Sequence, residues 1–214
     1  MRDASLDLLV ELARPTSHDT VLDYAAGAGI AGFAVAGDVR TVEAADEHPD
    51  TLEEGRRLAA ELGLDNVSFS LVVCRNAFHL LPEPVAALVE LLRVTSSAGR
   101  LVVIDPVVDE CTDKAYNDLA RLREQAHRRH YLEEQIDGLV AQAGMRVTQR
   151  GRVRRTIDLD YWLQAAAVPA AKAGLIRGRF KELPVDVQAR MDVAFADRLV
   201  SFSYDILGLR LERA

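Results

Sequence analysis

The residues best suited to chemistry form a turn near the N-terminus. Asp23-Tyr24-Ala25-Ala26-Gly27-Ala28-Gly29 follows a short apolar run and precedes a run that can be helical. Glycine has no Cβ, so the backbone at Gly27 and Gly29 can come close to a ligand. A helix that starts there also points free N–H groups at that place. Gly32 completes the spacing G-x-G-x-x-G, which is weak on its own because tight turns also use glycine for packing. Asp46 ends the next apolar run, 17 residues after Gly29. An acid at that position can accept hydrogen bonds from a ribose diol. The pair of features suits a nucleotide-containing ligand and leaves hydride transfer from a nicotinamide open. Asp23 has a plainer role available, satisfying backbone groups at a strand end. His79 follows a further apolar run, where a general base or substrate contact would sit, and packing explains it as well. His127 lies late in a polar helix near Arg123, Arg128 and His130, and a solvated face is the expectation for it. His18 and His48 read as loop residues. Cys74 and Cys111 are far apart and in no metal-like spacing, so neither a disulfide framework nor a metal site is expected.

The elements that must position these residues follow from apolar periodicity. A helix over 6–13 is stopped by Pro15. Short strands are predicted over 20–24 and 39–45, with a helix over 30–36 between them. A helix over 49–62 carries Asp50 and Glu53 in its first turn, which suits an N-terminus, and Gly63 as its C-cap. Residues 67–75 form a strand and 84–94 a helix. Residues 96–99 read as a turn, and 100–104 as a strand ending on Asp105-Pro106. Helices follow over 113–127 and 133–143, the second closed by Gly144. Strands over 146–152 and 201–212 look like a terminal pair, with mostly helical sequence over 159–199. Strands that are apolar on both faces and alternate with helices predict a largely parallel sheet covered on both sides. Trp162, beside Tyr161 and Leu163, reads as core of the helical layer, which could cap an apolar substrate pocket.

Bulk properties set the limits. The 214 residues suit a single domain, with a core over about 5–155 and 201–212 and a helical insertion over about 159–199. Hydrophobic residues make up 49% and charged residues 28%, enough for a true core. The net charge of −7 argues against a nucleic-acid partner. Arg150, Arg152, Arg154 and Arg155 read as the solvated face of a strand. The first residues lack the long apolar stretch of a signal peptide, and no apolar run approaches the ~20 residues of a membrane span. A cytoplasmic protein with no membrane span is expected. Leu88, Leu91 and Leu92 form a helix face that sheet packing explains as well as a homodimer would.

Three stretches carry a resemblance. They are VLDYAAGAGIAG, VEAADEHPDTLEEGRRLAAELGLDNVSF and LVVCRNAFHLLPEPVAALVELLRVTSSAGRLVVIDPV. In order and spacing, residues 5–160 resemble the class I S-adenosylmethionine-dependent methyltransferases, nearest to the type-11 and ubiquinone/menaquinone C-methyltransferase-like groups. NDLARLREQAHRRHYLEEQIDGLVAQAGM fits too, although that family more often has Asp-Pro-Ser before the histidine where this chain has Glu124-Gln125-Ala126. The resemblance implies an α/β Rossmann-like fold. Its seven-stranded-type sheet would be mostly parallel, with helices on both faces and an antiparallel C-terminal strand pair. S-adenosylmethionine is the implied cofactor. Asp23, Ala25, Gly27 and Gly29 would hold its methionine part, and Asp46 with its neighbour Glu47 its ribose. Arg75, Asn76, Phe78 and His79 would line cofactor and substrate, with His79 and His127 as candidate catalytic residues and no metal. The acceptor would be a small molecule, quinone-like or another secondary metabolite, methylated on oxygen or carbon.

One departure is as informative as the match. The family places a loop, a helix and an acidic turn between its third and fourth strands, whereas here Ser70 runs straight into Leu71. Crossing two strands at ~4.8 Å spacing needs a connection that this chain does not have there. Either the third strand is missing and 67–75 is a single strand in the fourth position, or the sheet is rewired, or residues are absent from the sequence. A protein that keeps the fold but has lost methylation is therefore a rival reading. It would act as a ligand binder, partner subunit, cyclase or isomerase. A dehydrogenase ranks third.

Overall fold

The computed structural model of the protein describes residues 3–45, 69–196 and 199–214. In chain order its elements are α1 (Ala4–Ala13), β1 (Thr20–Tyr24), α2 (Ile30–Val35), β2 (Thr41–Ala45), β3 (Phe69–Arg75), a 3-10 turn (Phe78–Leu80), α3 (Pro84–Val94), β4 (Thr95–Val107), α4 (Asp113–Arg123), α5 (Glu133–Gln142), β5 (Met145–Asp158), α6 (Leu159–Gln164), α7 (Ala170–Lys181), α8 (Val185–Arg190), β6 (Ala194–Ala196) and β7 (Leu199–Arg213). The strands make one sheet in the order β2-β1-β3-β4-β7-β5, with β6 alongside β7. β2, β1, β3 and β4 are parallel neighbours, and β7 runs against both β4 and β5. The result is the Rossmann-like α/β sheet with an antiparallel C-terminal pair.

Burial explains the central strands. Leu71, Val72, Val73 and Cys74 are all buried, as are Leu101, Val102, Val103 and Ile104. Alternate side chains feed two cores, one on each face of the sheet. Leu71, Val73, Val102 and Ile104 join α1, α2 and the helices after β5. Val72, Cys74, Leu101 and Val103 join α3 and α5. Leu88, Leu91 and Leu92 are buried in this second core, so they offer no dimer face.

α1 is held at three points. Asp3 caps its N-terminus by accepting the Ser5 N–H at 3.0 Å, and Arg14 ends it in a left-handed turn before Pro15. Leu8 and Leu12 then sit on the register pair Gly151 and Gly208, where a Cβ on either glycine would come within 2.7 Å of them. Below, the buried Arg100 guanidinium spans Asp19 at 2.8 and 2.9 Å and also donates to the carbonyls of Ala13 and Arg14.

The structure decides several expectations. Residues 69–75 are one continuous strand bonded to β1 on one side and β4 on the other, which is the first of the three alternatives. Among the described residues β2 is the sheet edge. The turn expected over 96–99 lies inside β4: its register against β3 shifts between Phe69 and Leu71, and the extra residues are taken up as a bulge. The polar helix stops at Arg123, because Glu124 turns extended, so His127 lies in a loop and not on a helix. Arg150, Arg152 and Arg154 are exposed and pair with Glu133, Asp137, Asp192 and Asp205, as a solvated strand face should, whereas Arg155 is half-buried and lies near Asp3 at 3.6 Å. The expected helix over 49–62, with Gly63, lies outside the described residues. No helix among the described residues is long and apolar enough to cross a membrane.

Candidate active site

The strands β1, β3 and β4 end side by side, and the residues that follow them build the site. After β1 the backbone of Ala25, Gly27 and Gly29 takes positive φ values of 56°, 52° and 72°. Alanine rarely adopts this region, so Ala25 marks a turn held by its surroundings. The Ala26 N–H donates to the Ala45 carbonyl of β2 at 3.0 Å, and the Gly29 N–H returns to the Ala26 carbonyl at 2.8 Å. The Asp23 carboxylate is buried and accepts the Gly32 N–H at 2.7 Å, tying the strand to α2. The glycines do different work. A Cβ on Gly32 would lie 2.9 Å from Val42 and 3.0 Å from Asp23, so that glycine is required by packing. The third glycine of a dinucleotide-binding turn has the same packing role, so the spacing alone does not separate a nicotinamide from another nucleotide-containing cofactor. Among the described residues, a Cβ on Gly27 would meet nothing within 4 Å. With respect to those residues the bare backbone there faces open space, as a cradle for a ligand must.

After β3, Asn76 is also left-handed, at φ 54°, and its N–H donates to Ile104 of β4. Arg75 turns toward α1, pairing with Asp3 at 2.5 Å and donating to Ser5. After β4 the Asp105 carboxylate accepts the N–H groups of Phe78 and His79, both at 3.2 Å, and holds Nδ1 of His79 at 2.9 and 3.1 Å. That grip fixes how the chain leaves β3. It presents His79 and drives Phe78 into the core on the far side of the sheet, against Tyr131. The Phe78 side chain is therefore packed in that core and not among the residues that line the cleft at His79.

Arg75, Asn76 and His79 line a cleft of about 360 Å³, with Ile30 from the first turn of α2 placing it beside the glycine turn. Tyr116, Trp162 and Tyr204 form its aromatic wall, and the Arg123 guanidinium lies 4.8 Å from the centre of the Trp162 ring. Trp162 is buried, as expected of a core residue, and lines the cleft too. Two histidines join His79 there. His127 is 5% exposed and not on a solvated face, because Nε2 of its ring is held by Asn117 at 2.9 Å. His130, which the sequence reading passed over, is buried with its ring centroid 4.6 Å from those of His79 and His127. Its signal was the pair His127 and His130, three residues apart.

Their electrostatics differ. Burial lowers the pKa of His79, but the Asp105 carboxylate more than offsets this and leaves it above the ordinary value. Burial and the nearby charges of His79, Arg121 and Arg123 push His127 down to about 4. Burial holds His130 well below the usual histidine range. Only one of the three rings readily takes a proton. The structure thus brings Arg75, Asn76, His79 and His127 to one cleft, which the glycine turn reaches through Ile30, the residue after Gly29. Asp46 and Glu47 lie outside the described residues.

Comparison with known proteins follows this geometry. Residues 15–144 match a family profile described as a methyltransferase domain. Over 182 residues the chain is 25% identical to YcgJ, an uncharacterized methyltransferase of Bacillus subtilis, covering 77% of this chain and 72% of that one. Over 104 residues it is 34% identical to demethylmenaquinone methyltransferase of Clavibacter sepedonicus, covering 42% of each. A crystal structure of a Bacillus halodurans protein shares the fold, with a TM-score of 0.83 over 98% of both chains at 23% identity.

Proposed function

The chain belongs to the methyltransferase-domain family, and on that premise we propose that it moves a methyl group from S-adenosylmethionine to an oxygen or carbon of a small organic acceptor. The observation that carries this reading is the open cradle at Gly27 next to the His79 cleft. The cofactor supplies an electrophilic methyl carbon on a sulfonium. The protein has to hold the two partners in line and keep water out. The left-handed turn at Ala25, Gly27 and Gly29 would take the methionine part of the cofactor, with Asp23 bracing the turn from below. Asp46 and Glu47 would take the ribose, and Asn76 would close the cradle on the β3 side. The acceptor would lie in the cleft against Tyr116 and Trp162, a wall suited to a flat ring. The relative that acts on demethylmenaquinone makes a quinone-like or phenolic ring the favoured class.

His79 would receive the acceptor's proton. Asp105 holds Nδ1, so the lone pair of the ring is on Nε2. His127 would help to place the acceptor, since its low pKa keeps it neutral. The charge left on the acceptor oxygen would be met by Arg123. His79→Gln should cut the methyl-transfer rate about 10²-fold or more while cofactor binding holds, the range expected when a general base is lost. An unchanged rate in a folded variant would remove His79 from this role.

The single strand β3, with Ser70 running straight into Leu71, favours one rival. If the adenine side of the cradle needs the segment that the family places between two strands, the chain would bind some other ligand and not methylate. Cofactor binding separates the two readings.

A further inference from the structure

His79 and the pair His127 and His130 come from two distant segments, yet one ligand-capable atom of each lies within 4.8 Å of the others, and all three side chains are buried. The surrounding hydrogen bonds determine which nitrogen of each ring is available. The Asp105 carboxylate can only accept from Nδ1 of His79, which leaves the lone pair on Nε2. The Asn117 side-chain oxygen accepts the backbone N–H of His130 at 2.7 Å. A backbone N–H only donates, so this atom is the amide oxygen, and it must also accept from Nε2 of His127 at 2.9 Å. The lone pair of His127 is then on Nδ1. The Asn117 amide nitrogen donates to the Asp113 and His130 carbonyls, which locks that orientation. Nδ1 of His130 is buried and has no hydrogen-bond partner among the described residues.

A carboxylate behind one ring N–H and an amide oxygen behind another is the outer support that metal-binding imidazoles have. We propose that His79, His127 and His130 bind one divalent transition-metal ion of the zinc class, with a remaining coordination position open to the cleft. Three nitrogen donors suit zinc, cobalt or nickel, not calcium or magnesium. The rings would draw in by roughly 1 Å each to reach nitrogen–metal distances of about 2.0–2.1 Å. His127 and His130 stand on the loop after α4, where such a shift disturbs no helix. Arg123 in the same cleft opposes a cation, and Asp105 and Glu124 offset it. The open position would take an oxygen donor of the cleft's occupant. A bound ion would use the same His79 lone pair that otherwise receives the acceptor's proton, so the two occupancies alternate. The site stands on these residues alone, and its readout is metal binding, not turnover.

The test uses the full chain carrying Cys111→Ser, which removes an exposed thiol. The protein is stripped with a chelator, then titrated with Zn²⁺ by calorimetry and with Co²⁺ by visible absorption. One ion per chain is expected, with a Co²⁺ spectrum of four-coordinate type. His79→Gln, His127→Gln and His130→Gln should each weaken binding by about tenfold or more in protein that still melts cooperatively. Folded parent protein that takes up no ion overturns the proposal even if every variant misfolds. So does an affinity that none of the three substitutions changes.

Discussion

At Gly27 a missing side chain does the work of a binding group. Its φ is positive, and a Cβ there would meet no atom of the described residues within 4 Å. A valine would therefore clash with none of those residues but would fill the room a ligand needs. Gly27→Val should lower affinity for S-adenosylmethionine at least tenfold, read by calorimetry. Its stability cost, read by thermal melting, should be limited to the strain of a left-handed residue, about 1–2 kcal/mol. Normal affinity would show that the turn does not face the cofactor. Asp105 carries as much information. The sequence shows it only as the end of a strand, yet it aims His79 and turns Phe78 away. His79 was legible as a site candidate because it follows a strand. The inward turn of Phe78 was not, because it depends on a carboxylate from the next strand accepting two backbone N–H groups. His130 went unread for a similar reason: the Asn117 side chain, one helix away, and the Arg128 and Arg129 N–H groups on the His79 carbonyl fold that loop back on His79.

Between elements, the tie that matters most is Arg100 with Asp19. It joins the end of α1 to the bottoms of β1 and β4, and both side chains are buried. Hydrogen bonds from Arg100 hold the Asp19 pKa well below its ordinary 3.8. A depressed carboxylate adds stability that is full above the unfolded value and is lost as pH falls through the folded one. The wild type should therefore lose stability steeply between about pH 5 and pH 1. Arg100→Met should cost about 3–5 kcal/mol near neutrality, because it strands a buried charge. It should also flatten the acid limb of the stability curve, measured by urea unfolding across pH. Gly208 tests the other support of α1. Gly208→Val would press on the methyl ends of Leu8, Leu12 and Ile104 and should cost about 1–3 kcal/mol by the same assay. At this scale the sequence was a good guide wherever apolar period and stop signals agreed, as in β1 and α3, whose bounds match. It failed where irregularity is absorbed locally. Ser96 to Gly99 look like a turn because of their glycine and serines, but β4 carries them as a bulge, since Thr95 still pairs with Phe69.

Across the whole molecule, the parallel half of the sheet supplies the cradle and the antiparallel half supplies the wall of the cleft. The helices after β5 bring in Trp162, which packs edge-on against Phe202 of β7 at 5.3 Å. Arg190 of α8 fastens that layer to Asp205 of β7 at 2.8 Å and to Asp109. Architecture of this kind follows from strands that are apolar on both faces. The missing connection between Ser70 and Leu71 was visible in the sequence. Which of its consequences held became clear only from the pairing of Phe69–Arg75 with both β1 and β4. The central claim is that this sheet holds S-adenosylmethionine beside the His79 cleft. Calorimetric titration of the purified chain with S-adenosylmethionine and with S-adenosylhomocysteine tests it most directly. The account predicts that both bind at one site per chain and that Gly27→Val weakens both. Folded protein that binds neither would contradict it.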